Sequence, residues 1–199
     1  MKKLSYFMMA LACAMLIGCS SCKDGEKPEP VNKAIDFNEA LFKVNLKVLT
    51  DYPMAQFYEA QGYLVPTDSN SVDGTIDAEH FKVAYNFMDA DHQKTIIGTF
   101  NDDMTVKVEV INDIWCEDFV TLPYVPMTAK DAIDILNSQL EEQIGAGPIT
   151  LRHQLYPGEA EPRYFIGSLG ALHTVNVYTG KIDVPAGNGE VTEETKTEE

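Results

Sequence analysis

Apolar positions along this chain recur with two different periods, and each change of period marks a new element. Phe37, Leu41, Val44 and Val48 follow one another at helical spacing, directly after Asp36-Phe37-Asn38-Glu39. An Asp followed three residues later by Glu is a capping box, which offers acceptors to the unpaired N–H groups of a helix start. Pro53 stops this helix, because proline has no backbone N–H to donate. Strand-like runs follow at 55–65, 80–88, 94–100 and 104–111. Phe81, Val83, Tyr85 and Phe87 alternate with His80, Lys82, Ala84 and Asn86, and Val106, Val108 and Val110 alternate with Lys107 and Glu109. Such alternation predicts a sheet with one dry face and one wet face. The run at 55–65 is apolar in both phases, so Tyr58 and Tyr63 take no side from pattern alone.

The same order then repeats. Thr128-Ala129-Lys130-Asp131 is a second cap, and Ile133, Leu136, Leu140 and Ile144 make a second stripe that Gly145, Gly147 and Pro148 close. Strand-like runs come at 149–156, 163–169 and 172–179, with turn residues Pro157-Gly158, Gly170 and Thr179-Gly180 between and after them. A lone helix or a lone meander cannot bury its apolar side, so each helix is expected to pack on its own sheet. The predicted fold is α+β, with two tandem units at 35–122 and 123–186, each a helix on an antiparallel β-meander. The stretch 116–124, with Pro123 and Pro126 nearby, reads as a linker between the units, although both units could also share one continuous sheet.

The second unit resembles the PepSY domain. Ala129-Lys130-Asp131-Ala132-Ile133 opens its helix, and Val175-Asn176-Val177-Tyr178-Thr179-Gly180-Lys181-Ile182 ends it with a strand running into a Thr-Gly-Lys turn. The first unit is similar to PepSY-like secreted proteins through Tyr52-Pro53 after its helix, and departs from them by an insertion at 66–77. Tandem units of this kind also resemble beta-lactamase-inhibitor-like proteins. The resemblance spans about 36–184 and implies an envelope or secreted accessory protein, some relatives being thought to bind or inhibit enzymes. It brings no catalytic residues.

The amino terminus places the chain in the cell envelope. Lys2 and Lys3 precede an apolar run from Leu4 to Ile17 that is too short to span a bilayer. Leu16-Ile17-Gly18-Cys19 reads as a lipobox, which makes 1–18 a lipoprotein signal peptide and Cys19 the lipidated first residue. Cys22 lacks the apolar residue that a lipobox needs three places before its cut. Residues 19–34 read as a flexible tether, with Asp24 and Glu26 resembling an outer-membrane export signal, and 187–199 as a disordered acidic tail. Membrane attachment is expected through the lipid on Cys19 alone.

Charge narrows the partners. The chain carries −16, and loss of Lys2 and Lys3 takes it to −18. Such a field repels nucleic acid, so a nucleic-acid partner is not expected. Cys116 reads as a buried core thiol. His80, His92, His153 and His173 lack the close spacing of a zinc site, so no metal or cofactor is expected. The stretch 68–77 mimics a calcium loop around Gly74, but Ser69 and His80 stand where Asp and Glu are needed. There is no nucleophile elbow, phosphate loop or dinucleotide fingerprint, and the chain is read as not an enzyme.

Surface remains. Strand alternation puts Lys82, Asn86, Lys107, Glu109, Arg152, Gln154, Asn176 and Tyr178 on the face away from the helices, as the candidate binding face. The function expected is a cell-envelope lipoprotein acting as a non-catalytic binding or accessory module. It would dock on, or inhibit, an unidentified envelope enzyme through that face. The alternative is a lipoprotein that captures a small ligand or glycan.

Overall fold

The computed structural model describes residues 33–67, 71–90, 92–112, 125–153, 161–168 and 171–183. Cys19, Cys22, Cys116 and Gln154 lie outside the described residues, as do the signal peptide, nearly all of the tether and the acidic tail. The chain divides after Pro30, and the described residues all belong to the part that begins at Val31.

Two helices form where the caps and stripes predict them. Helix α1 runs Phe37–Asp51. The Asp36 carboxylate accepts from the N–H groups of Asn38 and Glu39, both at 2.9 Å. Glu39 turns outward to pair with Lys43 at 2.7 Å rather than reaching back to the cap. The Phe37 N–H donates instead to the Gly74 carbonyl at 3.0 Å. Helix α2 runs Ala129–Gln139 and carries the full reciprocal box, with Thr128 and Asp131 each accepting from the other's N–H. It is shorter than its apolar stripe. Leu140 caps it, and the Asn137 side chain accepts from the Ile144 N–H at 2.7 Å, folding the chain back.

The strands are β1 (Ala34–Asp36), β2 (Gln56–Leu64), β3 (Thr75–Asp77), β4 (Lys82–Asp89), β5 (His92–Phe100), β6 (Val106–Ile111), β7 (Gly147–His153), β8 (Pro162–Ile166), β9 (His173–Asn176) and β10 (Ile182–Asp183). Their main path is β10-β9-β8-β7-β2-β4-β5-β6, antiparallel at every step. This corrects the expectation of two helix-plus-meander units. The strand that follows α1, β2, pairs with the strand that follows α2, β7, from Glu59↔Arg152 to Leu64↔Gly147. Two edges that separate units would have left open satisfy each other, and one sheet dominates the fold. Three elements are additions to the predicted set. Strands β1 and β3 pair with each other, and Ile76 of β3 pairs with Leu64 of β2. They place Ala34 in a strand instead of the tether, and part of the presumed insertion in another. Strand β10 pairs with β9.

One face of the sheet carries both helices. Val44, Val48, Val83, Tyr85, Ile96, Ile133, Leu136, Ile149, Leu151, Tyr164 and Val175 are buried between sheet and helices. Phe37 sits at the meeting of the two halves, edge-on to Phe81 at 5.5 Å and to Tyr164 at 5.9 Å. Beside it Asn38 ties the two helix starts together. Its Oδ1 accepts from the Ala129 N–H at 2.8 Å, its Nδ2 donates to the Tyr164 hydroxyl at 3.3 Å, and that hydroxyl donates to the Met127 carbonyl at 3.0 Å. Helix α1 lies so close to β5 that a Cβ on Gly98 would meet Val44 Cγ1 at 2.3 Å.

Two stability predictions follow from these contacts. Gly98→Ala is expected to destabilise by about 1–3 kcal/mol through overpacking, and adding Val44→Ala should recover part of that loss. A thermal or urea double-mutant cycle reads the coupling, and strictly additive losses would show that the helix does not bear on Gly98. Asn38→Ala leaves the Ala129 N–H without its acceptor and should cost about 1–3 kcal/mol, seen as a lower urea midpoint.

Candidate binding face

The face opposite the helices is ordered by strand register. One row crosses the sheet as Glu109, Ile97, Ala84, Glu59, Arg152, Arg163 and Asn176, each paired with the next across a ladder. The adjoining row is Lys107, Thr99, Lys82, Gln61, Thr150, Phe165, Thr174 and Asp183. Opposite charges pair both along one strand and across the sheet. Lys107 pairs with Glu109 at 2.8 Å, and buried Arg163 pairs with Asp183 and reaches Thr174 Oγ1 at 3.2 Å. The Arg152 guanidinium lies 4.9 Å from the centre of the Phe165 ring, a cation–π contact.

Of the sequence-predicted face residues, Lys82, Asn86, Lys107, Glu109, Arg152 and Asn176 share this face. Their accessibility differs. Lys107 and Glu109 are exposed, and Lys82 and Arg152 are half-buried. Asn86 and Asn176 are buried. Asn176 serves the turn that follows it, accepting from the N–H groups of Tyr178 and Thr179 at 2.9 and 3.0 Å and donating to Glu161. Tyr178 lies in that turn, exposed and beyond the end of β9.

Glu59 is the residue that pattern reading missed. Strand β2 shifts register between Phe57 and Glu59, a bulge that makes both Phe57 and Ala60 face the core. That bulge explains why the run is apolar in both phases, and it turns Glu59, Gln61 and Tyr63 onto the wet face. Glu59 is buried at the centre of the charged row, beside Arg152, and accepts from Gln61 Nε2 at 2.6 Å. Burial pushes its carboxyl above the ordinary glutamate value, while Arg152, Lys82 and the Gln61 hydrogen bond pull it back.

Next to this row is a depression of about 440 Å³ lined by Gln61, Tyr63, His80, Lys82, Thr99 and Thr150 among others. The Tyr63 and His80 rings stand 6.3 Å apart on its rim. Two carboxylates of the supposed calcium loop, Asp73 and Asp77, have other work. Asp73 accepts from the Thr75 N–H and hydroxyl, at 3.1 and 2.7 Å, and Asp77 caps the short 3-10 turn Ala78–His80 while bonding His80 Nδ1 at 2.6 Å. Among the described residues no three His, Cys, Asp or Glu side chains come together as metal ligands, and no helix is long and apolar enough to cross a membrane.

Comparison with known proteins adds one structural likeness. No family model matches the chain, and no curated protein matches it. The crystal structure of a "putative lipoprotein (CD1622)" from Clostridium difficile 630 is similar, with a TM-score of 0.42 and 14% identity over 75% of this chain and 91% of that one.

The raised Glu59 carboxyl sets a sign for pH dependence. An acid whose pKa is higher in the folded state contributes most when protonated, below its unfolded value, and the contribution is lost as pH rises through the folded value. The stability of Glu59→Gln relative to the parent should therefore improve as pH rises from below the ordinary glutamate value of about 4.3 towards neutrality. Urea titrations of both proteins across that range check it; a flat difference would mean that Arg152 and Lys82 fully compensate the burial of the carboxylate, and an opposite slope that they outweigh it.

Proposed function

We propose that this protein is a cell-envelope lipoprotein, anchored through Cys19 in the outer membrane, that acts as a non-catalytic binding module through its open sheet face. The observation that carries the reading is the pair of charged rows across that face. Lys82 and Lys107 lie on one side of the central Glu59 carboxylate and Arg152 on the other, and with Glu109 at the β6 end they spread charges of both signs across several strands. Charge in such an arrangement selects a partner of complementary pattern and fixes its register more than it adds affinity. A protein partner, including an envelope enzyme held or inhibited on this face, suits a surface this broad.

A second reading, capture of a small ligand or glycan, is favoured by the depression beside Tyr63 and His80, whose volume lies within the range of ligand pockets.

The test is capture from envelope extract of the source cell on the immobilised lipid-free chain, alongside the variant Lys82→Glu/Lys107→Glu/Arg152→Glu. One enriched protein that the variant releases supports docking on this face. An empty capture at low salt, or a protein held equally by the variant, sinks it. Binding of oligosaccharide probes lost in Tyr63→Ala would favour the second reading. The lipid itself is read from the mass of the amino-terminal peptide of membrane-extracted protein, which should begin at acylated Cys19.

A further inference from the structure

Helix α1 has two apolar sides. The inner one, Phe37, Ala40, Leu41, Val44 and Val48, is buried on the sheet. The outer one is Phe42, Leu46 and Leu49, which at 100° per residue lie within one narrow stripe opposite Val44 and Val48. These side chains are 65%, 60% and 45% exposed, and Met54, just past the helix end, is 76% exposed. A surface helix ordinarily turns polar residues outward, so an unpartnered stripe of large apolar side chains marks a contact surface.

We infer that this outer side of α1 rests on a lipid surface, which gives the domain a second membrane contact besides the Cys19 lipid. The inference relies on the lipid-anchor reading above. Three observations select lipid as the occupant. First, Phe37 stands eighteen positions after Cys19, so an anchored chain keeps the start of this helix within about 65 Å of the bilayer even at full extension. Second, the charges beside the stripe cancel. Lys43 pairs with Glu39 at 2.7 Å and Lys47 with Asp51 at 2.9 Å, so the stripe is locally neutral in a chain that carries −16 overall. Long-range repulsion from anionic headgroups is screened within about 10 Å at ordinary salt, and this helix adds none at contact. Third, the stripe is too short to seam with a second copy. A helix pair would continue it one step each way at Glu39 and Pro53, a charge and a helix breaker. A lipid interface asks only for buried apolar area, with such side chains entering about 5–10 Å into the headgroup boundary. Because α1 covers the opposite side of the sheet, this contact turns the charged face away from the bilayer.

The experiment uses the acylated full chain reconstituted in phosphatidylcholine vesicles that contain a bilayer-soluble diazirine. Light converts the probe to a carbene that tags whatever touches lipid. Trypsin cuts after Lys43 and Lys47, so Phe42 and Leu46 are read in separate peptides. Tags are expected on those peptides and on the one carrying Met54, with the peptides of β5 and β6 left clean. The variant Phe42→Gln/Leu46→Gln/Leu49→Gln, whose folding is checked by its melt, should lose at least about tenfold of the tagging, as withdrawal of three apolar side chains from the lipid implies. Clean peptides around Phe42 and Leu46 in a sample that carries the anchor overturn the proposal, as do tags on β5 and β6. So does a dimer of the unacylated chain, seen by sedimentation and abolished by the same variant, which would give the stripe to a second copy. The amino-terminal peptide mass from the same digest reports the Cys19 lipid independently, so failure of the anchor and failure of the helix contact are told apart.

Discussion

The antiparallel ladder between β2 and β7 is the constraint on which the rest of the molecule depends. It runs from Glu59↔Arg152 to Leu64↔Gly147 and joins segments that lie far apart in sequence. Backbone groups on both strands are satisfied on two sides at once, by β4 and β8 outward and by each other at the centre. Once that ladder exists, the two helices must share one face, and their starts are brought together. Asn38 then meets Ala129 and Tyr164, and Phe37 meets rings from both halves. The same ladder assembles the charged row, because it sets Glu59 beside Arg152.

The burial of Glu59 shows how the two faces of the sheet differ. The helix face is sealed by apolar packing, and its polar groups are tied off by specific partners, such as the Tyr85 hydroxyl bonded to Asn45. The open face buries polar groups beneath neighbouring side chains instead. Arg163 and Asn176 have carboxylate partners in Asp183 and Glu161, whereas Glu59 faces two cations and a side-chain amide. Its carboxyl still sits above the ordinary value, so desolvation outweighs the cations at this position.

Much of this was readable from local signals. Helix α1 was readable because cap, stripe and proline agree, and β4 and β6 because alternation holds along their length. The predicted and observed limits of α2 part at Leu140, where a hydrogen bond from Ile144 to Asn137 overrides a stripe that continues in sequence. Strands β1, β3 and β10 are two or three residues long and exist only through their partners, so no periodicity could announce them. One continuous sheet was an open alternative that the pattern could not select, since a ladder between distant strands leaves no local trace. Alternation put Lys82, Asn86, Lys107, Glu109, Arg152 and Asn176 on a common face, but it carries no information on depth, and Asn86 and Asn176 are buried. Glu59 was concealed by the bulge at Tyr58, which reverses the phase within one strand. The outer stripe of α1 was present in the spacing of Phe42, Leu46 and Leu49, masked by the inner stripe that matched its cap.

The ends of the sheet carry a consequence of a different kind. Among the described residues the path stops at β6 on one side and at the two-residue β10 on the other. An open strand edge is a template for pairing with another chain, and the hazard grows with crowding. Under the lipid anchor proposed above, copies of this protein would meet one another in two dimensions, at high local density. Among the described residues β10 offers only Ile182 and Asp183 for pairing, and β6 carries the Lys107–Glu109 ion pair along its exposed side. Charge at one end and, among the described residues, brevity at the other would let such copies stand side by side without zipping into a fibre.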